Sequence, residues 1–196
     1  MRIIAGEFGG RPLKAPKGDG TRPTADRVRE SMMSAVASAR GGFADAVVLD
    51  AFAGSGALGL EALSRGASRA CFFECAGQAA SVLAANAKAL GLGAARARIC
   101  RADVLKCPPA RVRPPFDLVF LDPPYALPAQ EALGLAARLR AEGSVSPDAI
   151  VVYEHAASSN AEADEGAKRH DLSLARRKKY GDTVVDVLRF AGRDEG

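Results

Sequence analysis

The tetrapeptide Asp122-Pro123-Pro124-Tyr125 closes the apolar run FDLVFLD, and its residue types suit one kind of chemistry. Two consecutive prolines hold the backbone extended and remove two amide donors, so the loop presents carbonyl oxygens and the Asp122 carboxylate as acceptors. An exocyclic amine on a nucleobase matches that loop. Such an amine is a poor nucleophile because its lone pair is delocalised into the ring. If Asp122 and the Pro123 carbonyl accept its two N–H groups, a pyramidal nitrogen is favoured, and positioning with electrostatic stabilisation supplies most of the rate. Tyr125 adds a flat face on which an extruded base can stack. Taken alone, the tetrapeptide also fits a rigid turn between a strand and a loop. No cysteine follows the prolines, which argues against the covalent route of pyrimidine carbon methylation; Cys107 lies ahead of the fourth strand.

A second group of residues, DAFAGSGALG from Asp50 to Gly59, follows the first apolar run. Gly54, Gly56 and Gly59 satisfy G-x-G-x-x-G, and Glu74 lies twenty residues beyond Gly54, so the dinucleotide fingerprint is formally met. An acidic residue stands four positions before the first glycine, however. A carboxylate at that turn repels a pyrophosphate but suits a ligand that carries an ammonium and no phosphate. S-adenosylmethionine is such a ligand. Its ribose hydroxyls need an acceptor at the end of the second strand, where Glu74 falls, and its adenine amine needs one after the third, where Asp103 falls. Each carboxylate singly also fits a helix cap or a solvated loop, and a nicotinamide oxidoreductase is the competing reading of the glycines.

These residues need a scaffold that brings strand ends together. Short apolar runs at 47–50, 69–74, 96–103, 116–122 and 149–155 alternate with helical patterns at 57–66, 76–91 and 129–141. Near-continuous apolar strands between amphipathic helices indicate a parallel sheet covered on both faces. The tail, SLARRKKYGDTVVDVLRF, reads as two strands turning at Gly181-Asp182, an antiparallel hairpin at the sheet edge. The expected fold is therefore α/β and Rossmann-like, with a mostly parallel seven-stranded sheet, helices on both faces and a C-terminal antiparallel hairpin. Ahead of it, residues 1–23 read as a basic hairpin or extended arm, with apolar positions only at Ile3, Ile4, Phe8 and Leu13, and residues 24–196 as the main domain. Thr24 or Asp26 would cap a helix running to about Ala39, with Val28, Met32, Met33 and Val36 inward and Gly41-Gly42 ending it.

Charge and composition narrow the function classes. The chain has 196 residues, 48% of them hydrophobic, and a net charge of +4. Residues 1–29 hold seven basic and three acidic side chains, so the arm carries the whole excess. That is the footprint of a segment tracking a phosphate backbone, with Arg2, Arg11, Lys14, Lys17 and Arg27 as the expected RNA contacts, although a solvated basic tail has the same composition. The run Arg176-Arg177-Lys178-Lys179 fits an edge strand charged against pairing as well as it fits RNA contact. His155 and His170 read as structural. Four cysteines without metal-ligand spacing indicate neither a disulfide scaffold nor a metal site. Without an apolar run long enough to span a bilayer, and without a leader-like N-terminus, the chain is expected to be cytoplasmic and not membrane-bound, and to act as a monomer.

Taken together, the chain resembles a class I methyltransferase of the amino-methylating type, and more closely the bacterial 16S rRNA guanine-N2 methyltransferase family. The likeness runs through Arg2-Ile3-Ile4-Ala5-Gly6, Gly10 to Leu13, Arg22 to Glu30, Asp50 to Gly66, Asp122 to Tyr125 and Lys179 to Thr183. It implies S-adenosylmethionine as cofactor and N2-methylation of one guanine in 16S rRNA (guanine 966 in that family) within a small ribosomal subunit particle. It also implies a cofactor site of Arg22, Thr24, Asp50, Phe52, Gly54, Ser55, Gly56, Glu74 and Asp103. Arg22 and Thr24 would close over the cofactor from the N-terminal side, with catalysis by Asp122, Pro123, Pro124 and Tyr125. Cys75 and Ala76 depart from the charged pair common after the second-strand carboxylate. An adenine-N6 methyltransferase is the alternative, since the tetrapeptide serves both; it would ordinarily need a separate target-recognition region. A non-catalytic RNA-binding assembly factor is another.

Overall fold

The computed structural model of the protein describes residues 1–16 and 26–192. In chain order the elements are α1 (Asp26–Arg40), β1 (Val47–Asp50), α2 (Ala57–Ser64), β2 (Arg69–Phe73), α3 (Gly77–Ala89), β3 (Ala97–Cys100) and β4 (Phe116–Leu121). They continue with α4 (Ala129–Ala141), β5 (Val145–Ala156), α5 (Asn160–Arg169), β6 (Leu172–Tyr180) and β7 (Thr183–Phe190). The seven strands form one sheet in the order β3-β2-β1-β4-β5-β7-β6. Strands β1 to β5 pair in parallel, and β7 runs antiparallel to both β5 and β6. The expected Rossmann-like architecture is present.

Both sheet faces are covered, which is why β1 reads as an unbroken apolar run with all four residues buried. On one face Met32, Met33 and Val36 of α1, Leu60 and Leu63 of α2 and Leu83 of α3 pack over Val48, Phe120 and Val152. On the other, Leu133, Ala136 and Leu139 of α4 pack with Ala163 and Ala167 of α5 over Leu49, Val119 and Val151. The strand order reverses between β1 and β4, so their carboxyl ends part to leave the crevice in which open α/β sheets bind ligands.

Beyond shifts of one or two residues at element ends, three features differ from the sequence reading. Strand β3 covers Ala97–Cys100 rather than 96–103, because Ala102 and Asp103 leave the ladder and turn into the crevice. Strand β5 begins at Val145, which pairs with Phe116, before the register shifts and Ile150 pairs with Leu118. The polar SPD segment inside that irregularity hides the early start. Helix α5, NAEADEGAKR, was not expected; its buried face is only Ala163, Gly166 and Ala167, a small-residue contact without an apolar stripe.

The N-terminal arm packs into the main core. Arg2 and Pro12 form an antiparallel bridge, and Ile3, Phe8 and Leu13 are buried in the same cluster as α1 to α3. Helix α2 receives the arm through two buried polar residues. Glu61 accepts the Ile4 and Ala5 amides at 2.8 and 3.1 Å, and the Ser64 hydroxyl accepts the Phe8 amide at 2.9 Å. Gly6 lies so close to α2, at φ +86°, that a Cβ there would sit 1.8 Å from the Ser64 carbonyl oxygen.

Candidate functional site

Asp50 ends β1 with its side chain almost fully buried. Its Oδ2 accepts the Gly59 amide at 2.9 Å, a donor in the first turn of α2 that the Gly56 N-cap leaves without a side-chain partner. The strand-end acid therefore fixes the glycine loop to its own helix. Close approach of that helix to the sheet needs Gly59, where a Cβ would fall 2.3 Å from the Phe72 ring. Glu74, just beyond β2, holds the loop from the other side: Oε2 accepts the Gly54 amide at 2.8 Å and Oε1 the Ala76 amide at 2.7 Å. Asp103 turns the chain after β3 by accepting the Leu105 amide at 2.9 Å, with Lys106 at 3.5 Å from its other oxygen.

These three carboxylates face one cavity of about 630 Å³ at the carboxyl ends of the parallel strands, within the usual range of small-molecule sites. Its wall includes Phe52, Gly54, Ser55, Asp122, Pro123, Pro124 and Tyr125, so the glycine loop and the tetrapeptide open on the same space. Gly56 stands behind the loop, at the start of α2, and is not part of the wall. Lys17, Arg22 and Thr24 lie outside the described residues. Arg2, Arg11, Lys14 and Arg27 are all exposed, as RNA contacts require. Arg29, whose charge also counted toward the basic arm, is not available to a ligand: it is fully buried, 3.0 Å from Asp26 and 3.9 Å from Glu61, and its guanidinium donates to the Arg2 carbonyl.

The electrostatics of the cavity are one-sided. Five carboxylates line it, from Asp50, Glu74, Asp103, Asp122 and Glu154, and no Lys, Arg or His does so among the described residues. Burial pushes Asp50 from the ordinary 3.8 up to about 7, against the lowering effect of the Gly59 amide, and the charges of Asp122 and Glu74 push it further the same way. Burial alone raises Asp122 to about 6. Such a cavity disfavours a pyrophosphate and favours a cation, so the donor set fits the ammonium and sulfonium of S-adenosylmethionine better than a nicotinamide dinucleotide.

The tetrapeptide differs in one respect from the sequence reading. The Pro124 carbonyl accepts the Leu127 amide at 2.8 Å and so closes a turn, leaving Pro123 as the backbone acceptor of the pair. Tyr125 is about half exposed at 49%, and its hydroxyl lies 3.1 Å from Thr183 Oγ1 at the start of β7. His155 is structural, as expected: buried, with Nε2 3.1 Å from Asp186 Oδ2. Asp186 also binds Arg177, which engages Asp164 at 2.7 Å. Arg177 is thus internally paired, and only part of the Arg176–Lys179 run faces solvent on the edge strand β6.

Several contributors were not singled out from the sequence. Glu154, near the end of β5, is buried on the cavity wall; an acid at a parallel strand's carboxyl end is the signal that marks it. Asn86 is buried in α3, where its Oδ1 accepts the Lys14 amide at 2.9 Å. Its amide donates at 3.0 Å to the carbonyls of both Lys14 and Ser55, clamping the arm to the glycine loop. Met1, Ala15 and Pro16 thereby join the cavity wall. The signal was an asparagine on an otherwise apolar helix face. Among the described residues no cluster could hold a metal ion, and no helix is long and apolar enough to cross a membrane.

Comparison with known proteins agrees with this architecture. The family model described as "Conserved hypothetical protein 95" matches residues 1–189. A Bacillus subtilis protein, provisionally named an rRNA methyltransferase, is 34% identical over 194 residues, which is 98% of this chain and 100% of that one. The Escherichia coli ribosomal RNA small subunit methyltransferase D is 42% identical over 125 residues, 64% of this chain and 60% of that protein. Among solved structures, an Escherichia coli protein provisionally named a methyltransferase matches with a TM-score of 0.78 at 30% identity, covering 98% of this chain and 99% of its own.

Proposed function

The chain belongs to the conserved hypothetical protein 95 family, which takes in the small-subunit rRNA methyltransferase D proteins, and from that membership we propose that it methylates the exocyclic N2 of one guanine in 16S rRNA, at the position corresponding to 966, using S-adenosylmethionine. The observation that carries this reading is the cavity that the glycine loop shares with Asp122-Pro123-Pro124-Tyr125, lined among the described residues by five carboxylates and by no Lys, Arg or His side chain.

The cofactor, when bound, supplies an electrophilic methyl group on a sulfonium. Asp50 faces the methionyl ammonium, Glu74 the ribose hydroxyls and Asp103 the adenine amine. Phe52, Gly54 and Ser55 form the wall between them, Gly56 backs the loop, and Arg22 and Thr24 belong to the proposed cofactor set. Asp122 and the Pro123 carbonyl accept the two N–H groups of the guanine N2, which directs the nitrogen lone pair along the transfer direction. Pro124 makes the turn that keeps the Pro123 carbonyl in place. Tyr125 stacks on the extruded base, and its hydroxyl contact with Thr183 holds the ring at the rim. No strong base is needed beforehand, because the amine becomes acidic only once alkylated. Asp122, raised by burial to about 6, then accepts the proton and passes it to water. Arg2, Arg11, Lys14, Lys17 and Arg27 follow the RNA backbone on the small-subunit particle.

Small subunits from a strain lacking the gene, incubated with the enzyme and tritiated S-adenosylmethionine, should yield labelled N2-methylguanosine at a single position located by primer extension. Label confined to N6-methyladenine would overturn the substrate assignment.

A further inference from the structure

We propose that Glu154 reads the target base: its carboxylate accepts the guanine N1–H while Asp122 and the Pro123 carbonyl hold the N2 amine, so that Glu154 selects guanine over bases lacking that N–H. This rests on the methyltransferase reading above and assigns a role to a residue that reading leaves idle. In the parallel pair of β4 and β5, Leu121 lies opposite Tyr153. Asp122 and Glu154 therefore follow at matching positions on neighbouring chains, where strands run about 4.8 Å apart. Phe120 and Val152, two residues earlier on each strand, are buried on the α1–α3 side of the sheet, and the two-residue alternation directs Glu154 to that same face. Tyr153 packs on the opposite face.

Of the five cavity carboxylates, Glu154 alone also lines the small cavity bounded by Pro123, Pro124 and Tyr125. It stands beside the tetrapeptide, whereas Asp50 and Glu74 hold the glycine loop. Carboxylate and carbonyl oxygens accept hydrogen bonds. Asp122, the Pro123 carbonyl and Glu154 thus form a continuous acceptor wall, and guanine is the base whose pairing edge offers adjacent N1–H and N2–H donors. Adenine and cytosine present a bare ring nitrogen there, which a carboxylate repels.

The test compares wild-type enzyme and Glu154→Gln on small subunits carrying either guanine or 2-aminopurine at the target position. 2-Aminopurine keeps the N2 amine but offers a bare N1, to which the glutamine amide can donate. The wild type should prefer guanine by about 10⁴-fold or more in kcat/KM, the scale on which a site built to hydrogen-bond one group rejects an analogue lacking it. In Glu154→Gln, assayed with cofactor saturating, that preference should collapse to within about tenfold or invert. Equal losses on both substrates, or an unaltered guanine rate, would assign Glu154 a structural role and sink the proposal. Should the glutamine variant unfold, Glu154→Asp is the second test: it should keep the guanine preference at a lower rate, and loss of the preference there counts against base reading. A wild-type enzyme that labels neither base is a separate outcome, directed at the methyltransferase assignment itself.

Discussion

Exchanging Asp50 for asparagine should stabilise the cofactor-free protein above neutral pH while removing its hold on a cationic ligand. Asp50 is 1% exposed, and its pKa is raised from 3.8 to about 7 by burial first and by the neighbouring carboxylates second. A carboxyl group raised in the folded state contributes stability that is complete below its unfolded value and is lost as pH climbs through the folded one. At pH 8 a shift of about three units corresponds to roughly 4 kcal/mol of destabilisation. At pH 5, where the folded group is still protonated, the same linkage leaves roughly 1–2 kcal/mol. Asparagine is neutral throughout, and its Oδ1 can still accept the Gly59 amide that Asp50 holds at 2.9 Å. The advantage of the variant should therefore widen by about 2–3 kcal/mol between pH 5 and pH 8, or about 5–10 °C in melting temperature for a domain of this size. Calorimetric melting without cofactor at the two pH values measures it. Titration with S-adenosylmethionine should show the opposite trend, with affinity lowered about 30-fold or more by loss of a buried charge partner. A gap that stays constant with pH, or an asparagine protein that melts lower at pH 8, would refute the reasoning.

Four further expectations follow from named contacts. Asp122→Asn should lower kcat about 10²–10³-fold with cofactor affinity retained. With cofactor saturating, wild-type kcat/KM for RNA should fall as pH drops below about 6, because the protonated acid accepts poorly; a flat profile excludes Asp122 as the acceptor. Glu61→Ala should cost about 3–5 kcal/mol in urea denaturation, since it leaves the Arg29 charge buried and the Ile4 and Ala5 amides without their acceptor. An effect under 1 kcal/mol would mean that the arm docks by apolar packing alone. Changing Arg2, Arg11 and Lys14 together to alanine should reduce the slope of log affinity against log salt by about 2–3, at roughly 0.7–0.9 per phosphate contact. An unchanged slope returns those charges to solvent.

Much of the architecture was legible because parallel strands must be apolar on both faces, and VVLD, ACFF and LVFL have no other reading once helices alternate with them. The parts that escaped lack such a signature. Helix α5 buries only alanines and a glycine, with Gly166 lying against Leu133 and the start of α4, so its inward face is defined by small volume rather than by hydrophobicity. The early part of β5 was hidden by the SPD irregularity. The depth at which the arm is embedded was invisible for a related reason: its anchors, Glu61 and Ser64, look like surface residues of an amphipathic helix until Gly6 brings the arm's amides onto them.

The site was legible in its residue types but not in how each carboxylate divides its work. The sequence reading set the cofactor role of each acid against a structural one, as though the two were exclusive. In the structure Asp50, Glu74 and Asp103 each accept a backbone amide that shapes a loop, and each still borders the cavity, because a carboxylate has two oxygens and about four acceptor directions. The amide hydrogen bonds fix the side chains in place before any ligand arrives, so little rotamer entropy is left to lose on binding. The cost appears as desolvation of the buried carboxylates, joined at Asp50 by the charges of Asp122 and Glu74, which is why Asp50 sits near 7 and Asp122 near 6. A cationic ligand relieves both at once. Preorganisation and ligand charge are thus coupled at Asp50: a neutral residue there should relax the folded protein and weaken its grip on the cation by the same change.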